Sequence, residues 1–292
     1  MPLGLILKGI GGFYYVKSQE GIFECKARGV FRKDEIVPLP GDRVVFEILD
    51  SEKKTGVVRK IEPRFSYLER PKVANVNQIA IVLAARSPEP DFLLLDKLLI
   101  TAESKKINPI IVVNKIDLDV CNVKEKVKEC YNCLGYPVVA LNSKTREGMD
   151  ILNEMLENKI TVLAGQSGVG KSTILNNIRD EWIMETGSIS EKIERGKNTT
   201  RHAEIFELKN GGFLVDTPGF SLYDVNLIEY KDLGHYYPEF RDKLSECRFN
   251  GCSHISEPGC GVKEALENGS IDRGRYERYI EIYGSLKQQK KY

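Results

Sequence analysis

The stretch Gly165-Gln-Ser-Gly-Val-Gly-Lys-Ser172 decides the fold of this chain. It follows the apolar run Ile160–Ala164, which predicts a buried strand, and it opens a predicted helix over Ser172–Ile178. Its glycines allow backbone N–H groups to curl around a phosphate, and the start of a helix favours negative charge. We therefore predict a phosphate-binding loop between a strand and a helix.

The polar residues of this loop and of a later motif have distinct expected roles. We expect Lys171 to reach the β- and γ-phosphates of a nucleotide and the Ser172 hydroxyl to ligate Mg²⁺. In the later motif, Asp216-Thr-Pro-Gly219, we expect Asp216 to hold Mg²⁺ and the Gly219 N–H to meet the γ-phosphate. The expected contacts in the phosphate loop are Gly165, Gln166, Ser167, Gly168, Val169, Gly170, Lys171, Ser172 and Thr173.

Asn114-Lys115-Ile116-Asp117 predicts which base the nucleotide carries. A carboxylate at Asp117 can accept hydrogen bonds from both N1–H and the exocyclic amine of guanine. Adenine would leave that carboxylate buried and unpaired, so the motif favours GTP and GDP over ATP. The expected base-contacting residues are Asn114, Lys115, Ile116 and Asp117, with a second loop at Ser143 and Lys144.

The order of these motifs is unusual for a GTPase. An ordinary GTPase begins with the phosphate loop and ends with the base-reading motifs. Here both base-reading motifs precede the phosphate loop. We therefore predict a circularly permuted nucleotide domain, a rearrangement that is tolerated where chain ends lie close together on the surface.

The segment between the predicted helix and Asp216 is polar and shows no hydrophobic period over 185–204. We expect it to be a switch in which Thr200, rather than Thr199, binds Mg²⁺ and the γ-phosphate. The sequence does not decide which residue orients the attacking water. Phe220 stands after Gly219 and cannot orient water, and Asn198 and His202 are the candidates in the switch.

The flanking sequence predicts three domains. Residues 1–66 alternate apolar and polar residues with turns about every ten residues, which indicates a small all-β barrel of the oligonucleotide-binding (OB) type. Residues 67–224 alternate apolar strands with helices, which predicts a parallel sheet covered on both faces. Two of the predicted helices span Phe92–Lys105 and Met149–Leu156. Residues 225–292 are predicted to be mostly helical.

Aromatic residues of the predicted barrel are interleaved with Lys and Arg, a combination that can stack on bases and bind a nucleic-acid backbone. The alternative is that half of these aromatic side chains belong to the barrel core. Composition leaves both interpretations open. The aromatic residues concerned are Phe13, Tyr14, Tyr15, Phe23 and Phe31.

The spacing Cys247-x4-Cys252-x-His254-x5-Cys260 predicts a metal site. Three thiolates and one imidazole suit tetrahedral Zn²⁺, and four protein ligands leave no open position for catalysis. We therefore expect one structural zinc ion. By contrast, Cys130-x2-Cys133 lies in a predicted helix without a second pair nearby and is expected to be structural.

Composition limits the remaining possibilities. The chain has 292 residues, a net charge of +1 and 41% hydrophobic residues, so any nucleic-acid contact must come from local patches. The start of the chain does not have the composition of a signal peptide, and the apolar runs are shorter than the roughly 18 residues of a membrane span. Seven cysteines are an odd number, which favours a reducing compartment. We expect a cytoplasmic protein that does not contact membranes.

Taken together, the motifs closely resemble those of the RsgA (YjeQ/YloQ) family of circularly permuted bacterial GTPases, over essentially the full chain. The resemblance implies an OB-fold domain, a permuted GTPase domain and a zinc-binding domain. It also implies binding to the 30S ribosomal subunit and its 16S rRNA, a role in late maturation of that subunit, and GTP hydrolysis stimulated by it. The family commonly has a histidine directly before the Thr-Thr pair, where this chain has Asn198, so the family's catalytic assignment is not carried over. Besides the motifs above, the resemblance is carried by Pro40-Gly41-Asp42-Arg-Val44, Leu95-Asp96-Lys97, Arg195-Gly-Lys-Asn-Thr-Thr-Arg201 and Asp216-Thr-Pro-Gly-Phe220.

Two other functions remain possible at this stage: a permuted GTPase of another ribosome-assembly step, and a non-catalytic RNA-binding scaffold that holds GTP. The scaffold is disfavoured by the intact Lys171, Ser172 and Asp216. We expect a monomer with low intrinsic GTPase activity.

Overall fold

The computed structural model describes residues 1–27, 37–186, 203–216 and 228–289; the side chains of 180–186 and 216 are outside this description. The chain forms two compact units, each discontinuous in sequence. Unit 1 comprises Met1–Ala80, Ser143–Ala164 and Gly170–Phe220. Unit 2 comprises Ile81–Asn142, Gly165–Val169 and Ser221–Tyr292.

The N-terminal part of unit 1 is a closed five-stranded barrel. Its strand order, β1-β2-β3-β5-β4, is that of an OB fold, so the predicted barrel is confirmed. Neighbouring strands are antiparallel except for β3 and β5, which are parallel. The strands are β1 (Leu3–Ile10), β2 (Phe13–Ser18), β3 (Gly21–Ala27), β4 (Arg43–Asp50) and β5 (Thr55–Ile61).

Alternate side chains of these strands fill the barrel. Phe23 and Phe46 meet in its interior with ring centroids 5.3 Å apart. Phe23 is therefore a core residue, as the core interpretation of the aromatic residues supposed. The other fully buried residues are Ile6, Val16, Cys25, Val44 and Val58.

Gly41 packs against the end of a short hairpin formed by β6 (Tyr67–Glu69) and β7 (Lys72–Ala74). Its φ of +88° lies in the left-handed region, and a Cβ there would lie 2.0 Å from the Ala74 carbonyl oxygen. The Gly41 carbonyl accepts a hydrogen bond from the Asn75 side chain at 2.9 Å. Only glycine allows this close approach, which accounts for the Pro40-Gly41-Asp42 turn.

A six-stranded sheet in the order β10-β9-β8-β11-β13-β12 carries the motifs predicted to bind nucleotide. Parallel pairing of β9 with β10 and of β11 with β13 confirms the predicted sheet type. The edge strand β12 differs, because it pairs antiparallel with β13 after a connection of only five residues, too short for a parallel crossover. The strands are β8 (Gln78–Ala84), β9 (Asn108–Asn114), β10 (Val138–Ala140), β11 (Ile160–Ala164), β12 (Glu204–Glu207) and β13 (Phe213–Asp216).

The helices between these strands match the apolar patterns. Two of them, α1 (Phe92–Lys105) and α3 (Met149–Leu156), have the bounds that the sequence predicts. The Asp91 carboxylate accepts from the Leu94 N–H at 2.8 Å and so caps α1 at its start. The other two are α2 (Val123–Asn132) and α4 (Lys171–Thr186), and α4 continues eight residues beyond the predicted end at Ile178.

The C-terminal region of unit 2, residues 228–289, is helical as predicted. Tyr237, Phe240 and Tyr279 form an aromatic cluster at its centre, with ring centroids 4.9–5.2 Å apart. Ile100 of α1 contributes to the same core. Its elements are 3₁₀ turns at Tyr230–Tyr236 and Leu244–Glu246, α5 (Pro238–Arg241), α6 (Gly261–Glu267) and α7 (Arg273–Gln289). Within the described residues, no helix combines the length and apolar character that crossing a membrane would require.

Candidate nucleotide site and metal centre

The phosphate loop leaves β11 through a conformation that only glycine tolerates. Gly165 has a φ of +135°, and a Cβ there would lie 2.2 Å from the Val82 carbonyl oxygen. Gly168 and Gly170 also have positive φ, of +81° and +103°. Helix α4 then begins at Lys171, and its Ile174 N–H donates to the Gly170 carbonyl at 3.0 Å. The loop therefore has the strand–turn–helix context of a phosphate-binding loop.

Lys171 is partly buried at the start of α4. This burial lowers the pKa of its ammonium group. A partly desolvated cation is stabilised by a nearby anion. Ser172 and Thr173 beside it are exposed. The first turn of the helix thus offers one ammonium and two hydroxyl groups.

The structure brings the Asn114 motif into contact with the phosphate loop. The buried Asn114 side chain donates from Nδ2 to the Val169 carbonyl at 2.8 Å. The Lys115 ammonium donates to the Gly168 carbonyl at 2.8 Å and also contacts the Ser87 carbonyl. The side chains of Asn114 and Lys115 therefore hold the backbone of a loop that lies more than fifty positions away in the chain.

The two acidic residues after Lys115 have different environments. The Asp119 carboxylate accepts from the N–H groups of Val123 and Lys124 at 2.8 and 2.9 Å, and so it caps the start of α2. Asp117 lies in the 3₁₀ turn Ile116–Leu118, and its side chain is exposed. Of the two carboxylates, Asp117 is the one that remains accessible to a base.

The predicted second base loop is attached to α4. Ser143 is buried, and its carbonyl accepts from the Asn177 side chain at 2.5 Å. Lys144 is exposed. Asn177 was not singled out by the sequence, because an Asn inside a helix usually faces solvent.

Several predicted site residues lie outside the described residues. These are Thr199, Thr200, Asn198, His202, Gly219 and Phe220. Asp216 is described only as the last residue of β13.

The predicted metal ligands converge in the C-terminal region. Their four ligand atoms all lie within 4.8 Å of one another. His254 Nδ1 is 3.5 Å from Cys247 Sγ and 3.4 Å from Cys260 Sγ, and the two sulfurs are 3.9 Å apart. Tetrahedral zinc, with metal–ligand bonds of about 2.0–2.3 Å, requires ligand separations of roughly 3.5–3.8 Å. The Cys247, Cys252, His254 and Cys260 group therefore fits a tetrahedral metal ion.

Glu257 shapes the loop that carries these ligands. Its carboxylate accepts from the Ser253 hydroxyl at 2.6 Å and from three backbone N–H groups, those of Ser253, Ile255 and Ser256, at 2.9–3.2 Å. Burial acts to raise the pKa of Glu257, but these hydrogen bonds outweigh it and lower the pKa to about 2. Glu257 is thus ionised and fully hydrogen-bonded, which stiffens the metal loop.

The second cysteine motif has a different environment. Cys130 is half-buried on α2, and burial raises the pKa of its thiol to about 12. Cys133 is exposed beyond the end of the helix. Among the described residues, neither cysteine belongs to a group of three or more possible metal ligands.

A buried ionic network in unit 2 was not anticipated from the sequence. Arg275 donates to Asp96 Oδ1 at 2.6 Å and to Glu239 Oε1 at 2.5 Å. Arg278 pairs with the other oxygen of Asp96, and the Tyr131 hydroxyl donates to Asp96 at 2.7 Å. The network links α1 and α2 to α5 and α7.

The phosphate loop, the guanine motif bonded to it and their order in the chain define the class of protein, a circularly permuted GTPase. Comparisons with known proteins identify the family within that class. The family model for the RsgA GTPase matches residues 61–226, and the model for the RsgA N-terminal domain matches residues 3–58. The chain belongs to the RsgA family of GTPases.

Individual relatives are similar over the full chain. A protein of Ruminiclostridium cellulolyticum named small ribosomal subunit biogenesis GTPase RsgA is 59% identical, over 100% of this chain and 96% of its own length. A protein of the same name from Clostridium perfringens is 50% identical over 95% of both chains.

Two solved structures share both the fold and the sequence. YjeQ from Thermotoga maritima superposes with a TM-score of 0.85 at 36% identity, over 98% of both chains. YloQ, described as a circularly permuted GTPase, gives a TM-score of 0.83 at 36% identity over 99% of this chain and 96% of its own.

Proposed function

We propose that this GTPase acts in the biogenesis of the small ribosomal subunit, binding the 30S subunit through its 16S rRNA and hydrolysing GTP to GDP there. The names of the relatives support the assignment to the small subunit, because two similar proteins are named small ribosomal subunit biogenesis GTPase RsgA. On this proposal the protein works as a monomer in the cytoplasm, where ribosomal subunits are assembled.

The observation that carries the nucleotide assignment is the contact between the guanine motif and the phosphate loop. Asn114 and Lys115 bond to the carbonyls of Val169 and Gly168, at 2.8 Å in both cases. A nucleotide must be read at its base and held at its phosphates at the same time. These two bonds hold the two loops at a fixed spacing, and a site whose loops are held in place loses less entropy on binding.

On the phosphate side, we assign Lys171 to the β- and γ-phosphates, and Thr200 and the Gly219 N–H to the γ-phosphate. Ser172, Thr200 and Asp216 would hold Mg²⁺, which neutralises charge on the phosphates. The remaining phosphate-loop contacts are Gly165, Gln166, Ser167, Gly168, Val169, Gly170 and Thr173.

On the base side, Asp117 would accept from guanine, and its exposure supports this role. Lys115 and Ile116 complete its loop, and Ser143 and Lys144 form the second loop, held by Asn177. For the attacking water, Asn198 and His202 remain the two residues to test, since Phe220 offers no polar group.

The Cys247, Cys252, His254 and Cys260 group would hold one structural Zn²⁺, which supplies a local cross-link that keeps its loop folded.

We assign three domains: 1–66 to an RNA-binding barrel, 67–224 to the GTPase and 225–292 to the zinc-binding domain. The partly buried ring of Phe13 on the barrel lies 5.2 Å from the Lys26 ammonium. Such a pair supports RNA binding by the barrel.

A turnover assay with purified ribosomal subunits tests the proposal. We expect slow hydrolysis by the protein alone and acceleration by 30S subunits, with Lys171→Ala inactive in both conditions. A completing partner is worth about 10³–10⁵ in related sites. Acceleration by 50S subunits alone would assign the protein to another assembly step. GTP binding without turnover under any condition would indicate a non-catalytic scaffold.

The salt dependence of the same assay tests the mode of docking. If the barrel binds the RNA backbone, the subunit concentration needed for half-maximal stimulation should rise steeply with salt, because counterions compete for the phosphates. A salt-independent half-maximal concentration would contradict RNA docking.

A further inference from the structure

The strand β12 contacts both the barrel and the strand β13, and all three belong to unit 1. On the barrel side, Lys8 of β1 forms an ion pair with Glu204 at 2.7 Å, and Lys17 of β2 forms one with Glu207. Lys17 also lies 5.8 Å from the ring centre of Phe213 on β13. Two adjacent barrel strands therefore contact both ends of β12.

On the sheet side, β12 lies next to a residue of the proposed nucleotide site. It pairs antiparallel with β13, and Glu204 is the register partner of Asp216, the proposed Mg²⁺ residue. Phe206 lies under the guanidinium of Arg179 on α4, 3.9 Å from the ring centre. Helix α4 is the helix that starts at Lys171. β12 thus contacts both the strand that ends at Asp216 and the helix that starts at Lys171.

Lys8 also contacts another barrel strand. The Lys8 ammonium lies 5.4 Å from the centre of the Tyr15 ring, and the Tyr15 hydroxyl donates to Glu24 at 3.1 Å. The side chains of Lys8 and Glu204 are 18% and 36% exposed, and those of Lys17 and Glu207 are 27% and 36% exposed. Both pairs are therefore partly buried.

We propose that Lys8 and Lys17 are positioning residues that couple the barrel to the nucleotide site through β12. This inference rests on the proposed function, in which a partner docks on the barrel. Docking that stabilises one arrangement of β1 and β2 then favours one position of β12 and of Asp216. Because such coupling is reciprocal, the bound nucleotide must also change the barrel.

The first test measures that reciprocal effect without any ribosomal subunit. Hydrogen–deuterium exchange of peptides from β1 and β2 is compared in the GDP state and with a non-hydrolysable GTP analogue. We expect the wild-type exchange rates to differ between the two states. The difference should be lost in the double variant K8E/K17E and restored when E204K and E207K are added. Each partly exposed pair is worth a factor of about 1.5 to 5, so the two together give about 2- to 30-fold.

The matched control is R59E. Arg59 pairs with Glu47 between two strands of the same barrel, with side-chain exposures of 27% and 38%, and neither residue lies on β1, β2 or β12. It should leave the nucleotide-dependent difference intact. Identical wild-type exchange in the two states, or a difference that survives in K8E/K17E, would overturn the proposal.

The second test separates coupling from direct RNA contact by these lysines. In the 30S-stimulated assay, K8E/K17E should lower the maximal stimulated rate at saturating subunits, divided by the variant's own basal rate, by about 2- to 30-fold. The charge-swapped quadruple variant should recover that rate. A rise in the half-maximal subunit concentration alone, without recovery by the swap, would assign Lys8 and Lys17 to RNA binding and reject coupling. If wild type showed no stimulation by 30S at all, the proposed function would fail, while the exchange experiment would still decide the coupling.

Discussion

Arg275→Met should destabilise the C-terminal region, because Arg275 joins α7 to α1 and α5 within unit 2. Arg275 is only 2% exposed and serves two buried carboxylates, those of Asp96 and Glu239. Removing one partner of a buried ion pair typically costs about 3–5 kcal/mol, because the other charge stays buried without compensation. Met keeps an unbranched stem against the rings of Tyr131 and Tyr237, so the loss is mainly electrostatic.

The structure places the expected loss at the lower end of that range. Asp96 keeps the Arg278 guanidinium and the Tyr131 hydroxyl after the substitution. Glu239 loses the guanidinium that contacts it through both Nε and Nη2. We therefore expect a loss of about 3 kcal/mol, centred on α5 and α7.

Hydrogen–deuterium exchange of peptides from α7 measures this loss locally, which matters because a chain with several domains need not unfold in one step. A loss of 3 kcal/mol corresponds to exchange about 10²-fold faster. Arg241→Met is the matched control, since Arg241 also pairs with a carboxylate of α1, that of Glu103, but is 48% exposed. It should cost less than about 1 kcal/mol, or a factor of about five.

The reasoning would be refuted if α7 exchanged at similar rates in the two variants. A further variant guards against a purely steric effect. Arg275→Met combined with Glu239→Met replaces both partners by apolar side chains and should recover part of the lost protection. If the double variant were no more protected than Arg275→Met alone, the loss would be one of packing rather than of charge.

Three further predictions concern the base, the metal and the metal loop. Asp117→Asn should shift preference from GTP toward XTP, because an amide donates where the carboxylate accepted; unchanged preference in competition binding would mean that Asp117 does not read the base. Cys252→Ala, or removal of the metal by a chelator, should unfold the region from about residue 225 onward and leave GTP binding largely intact, as the ligands share one local loop; circular dichroism and nucleotide titration check this, and an unaltered C-terminal region would contradict it. Glu257→Gln should weaken zinc binding about 10- to 100-fold in chelator competition, because the amide replaces a carboxylate oxygen that orders the loop, whereas the exposed Glu267→Gln should not.

The sequence by itself determined the features that are local in the chain. Helix α1 has its predicted bounds because its apolar spacing and the capping Asp91 lie within consecutive residues. The phosphate loop and the Cys–His spacing are likewise short motifs whose chemistry depends on neighbouring positions. Even the permutation could be read from motif order alone. The barrel and the sheet type followed from the period of the hydrophobic pattern, which reflects which face each strand buries.

Only the tertiary structure decided which distant residues meet. Asp96 and Arg275 are 179 positions apart, and each charge taken alone predicts a solvated surface rather than a buried pair. Lys8 and Glu204 are 196 positions apart, and nothing in either segment indicates the other. The antiparallel edge strand β12 makes their pairing possible by lying against the barrel. Such contacts depend on how whole helices and strands pack. A charged side chain can be buried only where that packing places an opposite charge or a hydrogen-bond partner beside it.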